Sequence, residues 1–315
     1  MMSDVQPQQM TPADDPLPVL VAALRSREPL ERLQAAKDVG RLGWLAREAL
    51  PTLVNALQDS DAKVREAVAH AIGQMGPDAL PVLSEMLNHR DKYVRRNAAW
   101  SMGKLGPLAR PALNSLTAAL MDTDPRTASG IAQALGNMGA DGADAIPALA
   151  EAMRGTNIVL CRLAAKALSQ IGPPALATLI AHLQHSDPFV RGESAMAIGW
   201  MGPVARSAVP FLIHVVRGQN TNSVRTPPPS ANRVIDEGTD DGPEPRDSTT
   251  LTPPHTPPPC GGSSDESSRV YAAQALGRIG STATAALPEL REAARFGSDI
   301  LRQAANLSIK QIQGN

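Results

Sequence analysis

Residues 190–202 have the sequence VRGESAMAIGWMG, and this stretch decides the fold because variants of it recur along the chain. Its small and apolar residues stand at positions 0, 4, 5, 7, 8 and 11, counted from Val190, so they share one face of an α-helix. The small side chains allow a neighbouring helix to approach closely, and the last residue, Gly202, is typical of a helix C-cap. We call this motif the long pattern, and it predicts an α-helix with one buried face.

The long pattern returns at nearly constant spacing. Further copies begin at Glu31, Val64, Val94, Thr127, Leu160 and Ser268, and a degenerate copy begins at Ile300. The residue at its first glycine position recurs with successive gaps of 33, 30, 33, 33, 30, 78 and 32 residues. Since the gap of 78 is one period plus an insertion, the pattern marks a repeat of about 32 residues.

A shorter apolar pattern precedes each copy of the long pattern. Two of its members are ALPTLVNAL at 49–57 and ALPELREAA at 286–294. Their apolar residues have amphipathic-helix spacing, and proline stands in the first turn, where it removes no hydrogen bond. Six residues stand where the N-cap of a long-pattern helix is expected: Asp61, Asp91, Asp124, Asn157, Asp187 and Asp265.

Each repeat therefore pairs two antiparallel helices. A single pair cannot bury its apolar face, but stacked neighbours can. The sequence predicts an all-α fold, an α-solenoid of about seven to eight stacked two-helix repeats with a disordered proline-rich insertion.

Composition agrees with this fold class and excludes others. Hydrophobic residues make up 43% of the chain but aromatic residues only 3%, which favours helices over sheets. The net charge of −1 excludes a globally basic nucleic-acid binder. Two cysteines, Cys161 and Cys260, exclude a disulfide framework and a cysteine-built zinc site, and they fit a reducing compartment. We expect no secretory signal or membrane span at the start of the chain, and a cytoplasmic location.

The repeats resemble HEAT repeats of the short type associated with phycobilisome lyases, over residues 17–218 and 266–315. The D-x-x-V-R starts, the A-A-x-A-L-G cores and the A-L-P openings carry the resemblance. It implies that the long-pattern helices line a concave side, and that aspartate and arginine form a ladder between units. By this resemblance four arginines are structural: Arg65, Arg95, Arg191 and Arg269. Ala128 and Cys161 stand at the arginine position of two repeats, where the ladder is expected to be interrupted.

The chain divides into four segments by composition. Residues 1–14 are predicted to be a flexible N-terminal tail, 15–218 the first part of the solenoid, and 266–315 its C-terminal part. Residues 219–265 contain ten prolines and an excess of acidic residues. This composition cannot repay the entropy of ordering, so we predict a disordered acidic loop between the two helices of one repeat.

A basic ridge is the candidate binding surface. Positions 2, 6 and 10 of the long pattern lie four residues apart and point away from the core. Nine of the 24 residues at these positions are Lys or Arg and one is acidic, although the whole chain is nearly neutral. Exposed Trp and Arg dominate binding hot spots. The predicted partner-binding residues are Lys37, Arg41, Arg96, Trp100, Lys104, Arg162, Lys166, Trp200 and Arg278.

The leading hypothesis is a non-enzymatic protein–protein interaction scaffold that binds an acidic partner segment on this ridge. A solvated face, with each tryptophan packed against the next repeat, is the alternative for the same residues. The chain lacks a G-x-S-x-G motif, a Walker loop and a dinucleotide fingerprint, so we expect no enzyme activity and no cofactor. His182 and His185 form an H-x-x-H pair, but without H-E-x-x-H we expect no metal site.

Two other functions stay open. The resemblance implies a bilin (tetrapyrrole) lyase or chromophore-protein chaperone of the phycobilisome lyase type, although few aromatic residues are present to stack on such a ligand. A bilin is the one small molecule that we consider. Binding of a nucleic-acid backbone on the ridge is disfavoured by the neutral net charge, and no membrane partner is expected.

Overall fold

The computed structural model of the chain describes residues 15–218 and 265–314, which form sixteen α-helices and no β-strand. The helices are α1 (Leu17–Ala23), α2 (Pro29–Leu42), α3 (Leu50–Ala56), α4 (Ala62–Gln74), α5 (Leu80–Met86), α6 (Lys92–Leu105), α7 (Leu113–Ala119), α8 (Pro125–Asn137), α9 (Ile146–Met153), α10 (Ile158–Ile171), α11 (Leu176–His182), α12 (Pro188–Met201), α13 (Val209–Arg217), α14 (Asp265–Ile279), α15 (Leu287–Phe296) and α16 (Asp299–Gln313). The predicted tail at 1–14 and residues 219–264 of the predicted loop lie outside these ranges.

Odd-numbered helices come from the short pattern and even-numbered helices from the long pattern. Each short helix packs against the long helix that follows it, which gives eight two-helix repeats in the described ranges. The predicted all-α solenoid of stacked repeats is confirmed. The segment between Gly218 and Asp265 joins α13 to α14, which are the two helices of one repeat, as the sequence predicted.

The repeats form two compact units. One unit ends at Ala112 and contains α1 to α6, in which α4 packs between α2 and α6. The other begins at Leu113 and contains α7 to α16. Within it α10 packs between α8 and α12, and α14 packs between α12 and α16.

Side-chain caps start most of the long helices. Asp61 accepts a hydrogen bond from the backbone N–H of Lys63 at 2.7 Å. At four other long helices the predicted cap also accepts a hydrogen bond from a backbone N–H of the first turn. The predicted caps are therefore confirmed at Asp61, Asp91, Asp124, Asn157 and Asp187. Asp265 is different, because it is the first helical residue of α14. Its carboxylate contacts Arg191 of the neighbouring repeat.

Glycines stop the long helices. A positive-φ glycine stands at or just after the end of α2, α4, α6, α8, α10, α12 and α14, as Gly106 with φ 54° shows. Residues with a side chain disfavour positive φ, so glycine fits the turn at these helix ends, as predicted for a C-cap. Short 3₁₀ segments then lead to the next short helix, at Gly43–Ala49, Gly76–Ala79, Gly106–Ala112, Gly139–Ala145, Pro173–Ala175, Gly202–Ala208 and Gly280–Ala286.

A second set of glycines lets the long helices approach each other. In the second unit, a Cβ placed on Gly199 would lie 2.9 Å from the Cα of Ala275 on α14. In the first unit, a Cβ on Gly40 would lie 3.3 Å from the Cα of Ala71 on α4. Glycine on one helix thus faces alanine on the next, which allows backbones to pack closely.

The arginine at position 1 of the long pattern closes the loop inside its own repeat. Arg65 Nη1 donates to the carbonyls of Asp59 at 2.7 Å and Ser60 at 3.1 Å. Arg191 Nη1 makes the equivalent bonds at 2.6 and 2.8 Å, to His185 and Ser186. These bonds satisfy loop carbonyls that would otherwise lack partners.

An arginine–aspartate contact joins neighbouring repeats in each unit. In the first unit Arg32 Nε lies 2.6 Å from Asp59, and its Nη2 lies 2.8 Å from the other carboxylate oxygen. Burial alone would raise the pKa of Asp59, but the hydrogen bond from Arg32 and the N–H of Asp61 lower that pKa below its usual value. In the second unit Arg191 pairs with Asp265, and Arg269 Nε donates to the carbonyl of Val216 at 2.8 Å. The four arginines of the predicted ladder thus hydrogen-bond loop or helix-end carbonyls.

The last repeat is shifted by one residue from its predicted register. Leu301, not Ile300, is fully buried, and Ser298 caps α16 three residues before it, as Asp61 does before Val64. The aligned sequence is ambiguous here because both residues are apolar. Counted from Ile300, the long pattern places three residues of α16 at ridge positions 2, 6 and 10: Arg302, Asn306 and Lys310. In the observed register none of the three occupies a ridge position.

Candidate functional site

In the first unit the predicted ridge lies on three neighbouring long helices. Lys37 and Arg41 on α2 and Lys104 on α6 are exposed, whereas Arg96 and Trp100 on α6 are half-buried. His70 and Gln74 lie between them on α4 and are exposed. Ridge positions of successive repeats thus lie side by side on α2, α4 and α6.

Trp100 is the centre of one cluster on this ridge. The side chain of Lys104 places Nζ 5.1 Å from the centroid of the Trp100 ring. On α4, the His70 ring lies 6.1 Å from the Trp100 ring with the planes at 42°. The tryptophan therefore packs beside the histidine of the preceding repeat and still carries a cation over its face.

Tyr93 is the centre of a second cluster, which the sequence reasoning did not identify. Three cations surround its ring: Arg65 Cζ at 4.5 Å, Lys92 Nζ at 5.3 Å and Arg96 Cζ at 5.4 Å from the centroid. Arg65 comes from α4 and the other two from α6. The spacing of Tyr93, Arg96 and Trp100 by three and four residues could have revealed it, since such residues share a helix face.

The charges of the ridge are partly balanced within the chain. Arg41 pairs with Asp38 one turn earlier on α2, and Glu66 is the one acidic ridge residue. In the second unit Arg162 Nε lies 3.1 Å from Glu193, whose side chain is only 2% exposed. Burial raises the pKa of Glu193, and the nearby charge of Arg162 opposes that rise. Arg162 thus pairs with a buried carboxylate of the next repeat. The ridge positions in the sequence could not reveal this contact.

The other predicted residues of the second unit differ in exposure. Lys166 on α10 is exposed, and Trp200 on α12 is 39% exposed. Arg278 on α14 is half-buried, and burial lowers the pKa of its guanidinium. Because Arg162 and Arg278 are half-buried, Lys166 is the exposed cation among the predicted residues of this unit.

The 3₁₀ segments of the first unit expose large apolar side chains that the sequence reasoning missed. Trp44 is 64% exposed, and Leu45 and Leu108 are each 58% exposed. All three follow a positive-φ glycine closely, which turns the next residues outward. A large apolar residue one or two positions after such a glycine is the sequence signal that could have located these exposed side chains.

The histidine pair at 182 and 185 is part of the packing of the second unit. The two rings lie 6.3 Å apart and edge-on, and His182 is 9% exposed. Burial lowers the pKa of both histidines, and each is also affected by the nearby charge of Arg154. Across the described ranges, no group of three His, Cys, Asp or Glu residues is placed to hold a metal ion.

We expect acidification to destabilise the protein through these histidines. Their folded-state pKa lies below the unfolded value, so the unfolded chain binds protons first as the pH falls through about 6.5. Thermal melts should show a midpoint that falls between about pH 7 and about pH 5. The double variant His182→Leu, His185→Leu should reduce that fall, and an unchanged pH dependence would contradict the assignment.

Cys161 is a buried packing residue, as expected from its place in a repeat. It is fully buried, and its Sγ donates to the carbonyl of Met153 at 3.0 Å. Ala128 at the equivalent position is also buried. Both replace the loop-closing arginine with a small side chain.

One apolar stretch of the described chain, Pro188–Arg217, is long enough to cross a membrane by length and composition. It is not one continuous helix, because α12 ends at Met201 and Gly202 has a positive φ of 63°. Ile198 on α12 and Leu212 on α13 are fully buried in the second unit. The apolar character of this stretch therefore reflects the cores of two successive repeats.

Comparison with protein families identifies HEAT repeats over residues 17–103, 80–159 and 151–227. A PBS lyase HEAT-like repeat is identified over residues 268–296. No curated protein sequence matches the chain.

Three solved structures with similar folds illustrate the likeness. An engineered protein is 18% identical over 94% of this chain and 78% of its own, with a TM-score of 0.43. The CpcE–CpcF complex of phycocyanin lyase from Nostoc sp. is 21% identical over 99% and 98%, with a TM-score of 0.38. YibA from E. coli is 15% identical over 95% and 92%, with a TM-score of 0.46. At these values the likenesses carry no argument about what the chain binds.

Proposed function

Because the chain belongs to the HEAT-repeat family, we propose that it is a non-enzymatic, cytoplasmic scaffold that binds an acidic segment of another protein on its basic ridge. HEAT repeats support protein–protein interaction in general, since stacked repeats present extended surfaces to a partner. The finer proposal, an acidic partner, rests on the charge and aromatic content of the ridge.

The observation that carries the proposal is the α6 face of the first unit. Trp100 lies with Lys104 over its ring and His70 beside it, and it is not enclosed by the core. Arg96 precedes it by one turn on the same face. A half-buried tryptophan with flanking cations is the composition of a binding hot spot for an acidic and apolar segment.

The two kinds of residue contribute differently. Trp100 supplies apolar area, and truncation of such a residue in a hot spot weakens binding by at least about 2 kcal/mol. Arg96, Lys104 and exposed Lys37 supply charges that steer encounter and set specificity rather than affinity. Lys166 and Trp200 offer a comparable but less basic pair in the second unit.

A triple variant tests the proposal. Arg96→Ala, Trp100→Ala and Lys104→Ala together should weaken partner binding by more than about a hundredfold, because both the ring and its cations are lost. The measurement is affinity purification of partners from a lysate of the source cell, with quantitative mass spectrometry. Partners that carry acidic segments should disappear from the variant.

The matched control likewise removes one tryptophan and two cations, elsewhere in the first unit. Trp44, Arg47 and Arg27 are exposed and lie off the ridge, so their triple alanine variant should keep the same partners. Equal recovery by the wild type and the ridge variant, with folding preserved by circular dichroism, would overturn the proposal.

A bilin-handling function is the second candidate, favoured by the PBS lyase HEAT-like repeat at residues 268–296. It rests on family likeness alone, because the same repeats serve many unrelated functions. Mixing the purified protein with a bilin separates the two functions, since a bilin site changes the visible absorption spectrum and a scaffold does not.

A further inference from the structure

One face of α6 alternates rings and cations along its whole length. Tyr93, Arg96, Trp100 and Lys104 follow each other at spacings of three, four and four residues, so they form a single stripe on the helix. The neighbouring helix α4 contributes Arg65 beside Tyr93 and His70 beside Trp100. Lys92 on α6 also lies beside Tyr93, and we call these seven residues the α6 stripe.

The stripe contains two separate places that attract an anion. At one end, the cations of Arg65, Lys92 and Arg96 all lie within 5.4 Å of the Tyr93 ring centroid. At the other end, Lys104 lies 5.1 Å from the Trp100 ring centroid. The three cations at the Tyr93 end and Lys104 at the Trp100 end each attract a carboxylate.

The helix fixes the distance between the two places. Tyr93 and Trp100 are seven residues apart, and a rise of about 1.5 Å per residue separates them by about 10 Å. An unfolded acidic segment often adopts polyproline II, with about three residues per turn and a rise of about 3.1 Å. In that conformation, acidic residues at i and i+3 share a face and lie about 9 Å apart.

We propose that the α6 stripe binds a polyproline II-like peptide segment with two acidic residues spaced i and i+3, one at the Tyr93 end and the other at the Trp100 end. This inference rests on the proposed function and adds the spacing of the ligand. Glu66 on α4 is the acidic residue of the same ridge, and it disfavours a third acid between the two. Trp100 then offers its ring to an apolar residue beside the second acid.

Synthetic peptides test the spacing with the full-length chain. Three fluorescent peptides of equal charge, each with two glutamates at i and i+2, i and i+3, or i and i+5, are titrated at low salt by fluorescence anisotropy. The i and i+3 peptide should bind about fivefold more tightly than the other two, as expected for one added charge contact. Equal affinity for all three overturns the spacing.

Two charge reversals locate the binding. Lys92→Glu removes one cation of the Tyr93 end, and it should abolish the preference for i and i+3 while leaving the Trp100 end intact. Arg47→Glu is the matched control, because it changes the net charge equally at an exposed position off the stripe. Loss of the preference in both variants would mean that net charge, not the stripe, sets affinity.

The outcomes separate this inference from the proposed function. All three peptides could bind with equal affinity and lose binding in the triple variant of Arg96, Trp100 and Lys104. That result would support the proposed function and overturn the i and i+3 spacing. Absence of binding by every peptide overturns both. Tighter binding of a single-stranded DNA oligonucleotide than of any peptide, with a steep salt dependence, would overturn the peptide ligand in favour of nucleic acid.

Discussion

Replacement of Arg191 by alanine is expected to lower the free energy of unfolding by about 3 kcal/mol. The Arg191 side chain is only 2% exposed, and its Nη1 donates to the carbonyls of His185 and Ser186 at 2.6 and 2.8 Å. Alanine would leave both carbonyls without this donor and would open a cavity in the second unit. Loss of the contact with Asp265 adds little, because that carboxylate is 73% exposed and stays hydrated.

Urea denaturation followed by far-UV circular dichroism measures this effect. Arg65→Ala in the first unit is the comparison, since Arg65 makes the same two carbonyl bonds but is half-buried, so a smaller loss of about 1 kcal/mol is expected. Arg206→Ala is the control, because an exposed side chain in a 3₁₀ segment should change stability by less than about 0.5 kcal/mol. A loss for Arg191→Ala no greater than that of the control would contradict the loop-closing role.

Gly199→Ala is expected to destabilise the second unit although it raises helix propensity. The new Cβ would lie 2.9 Å from the Cα of Ala275, and a backbone atom cannot move aside as a flexible side chain can. The helices α12 and α14 would have to separate, and overpacking of this kind costs about 1–3 kcal/mol. The gain in helix propensity from glycine to alanine returns about 1 kcal/mol. Since the clash is with a backbone atom, we expect a cost in the upper part of that range and a net loss of up to about 2 kcal/mol.

Gly73→Ala is the matched control at the equivalent position of the first unit. There the nearest atom to a new Cβ, Cβ of Lys104, is 3.6 Å away, which is ordinary contact. This variant should keep or raise the free energy of unfolding by up to about 1 kcal/mol. Urea denaturation of both variants should therefore show changes of opposite sign, and equal changes would mean that helix propensity rather than packing controls these positions.

Much of the fold could be predicted because its signals are local. The N-cap at Asp61, the stop at Gly106 and the proline in the first turn of α3 each depend on a few neighbouring residues. These signals recur with the repeat, so a weak instance in one copy is supported by the others. The register of α16 was wrong because its copy is degenerate and two adjacent apolar residues, Ile300 and Leu301, fit the pattern equally well.

The candidate site was less predictable because its contacts join different repeats. Nothing near Arg162 in the sequence indicates that it pairs with buried Glu193, and nothing near Tyr93 indicates that Arg65 lies over its ring. Helix periodicity places residues on a face but does not say what the next helix brings to them. Whether the nine predicted ridge residues bind a partner stays a prediction.

The junction between α13 and α14 has a practical consequence. Arg269 on α14 donates to the carbonyl of Val216 on α13, and Arg217 on α13 contacts Glu289 on α15, so side chains tie α13 to both helices that follow the 46 intervening residues. Each doubling of a connection adds only about 0.6 kcal/mol of closure entropy. A reporter such as a fluorescent protein can therefore be grafted between Gly218 and Asp265, and two separately expressed fragments cut there should reassemble.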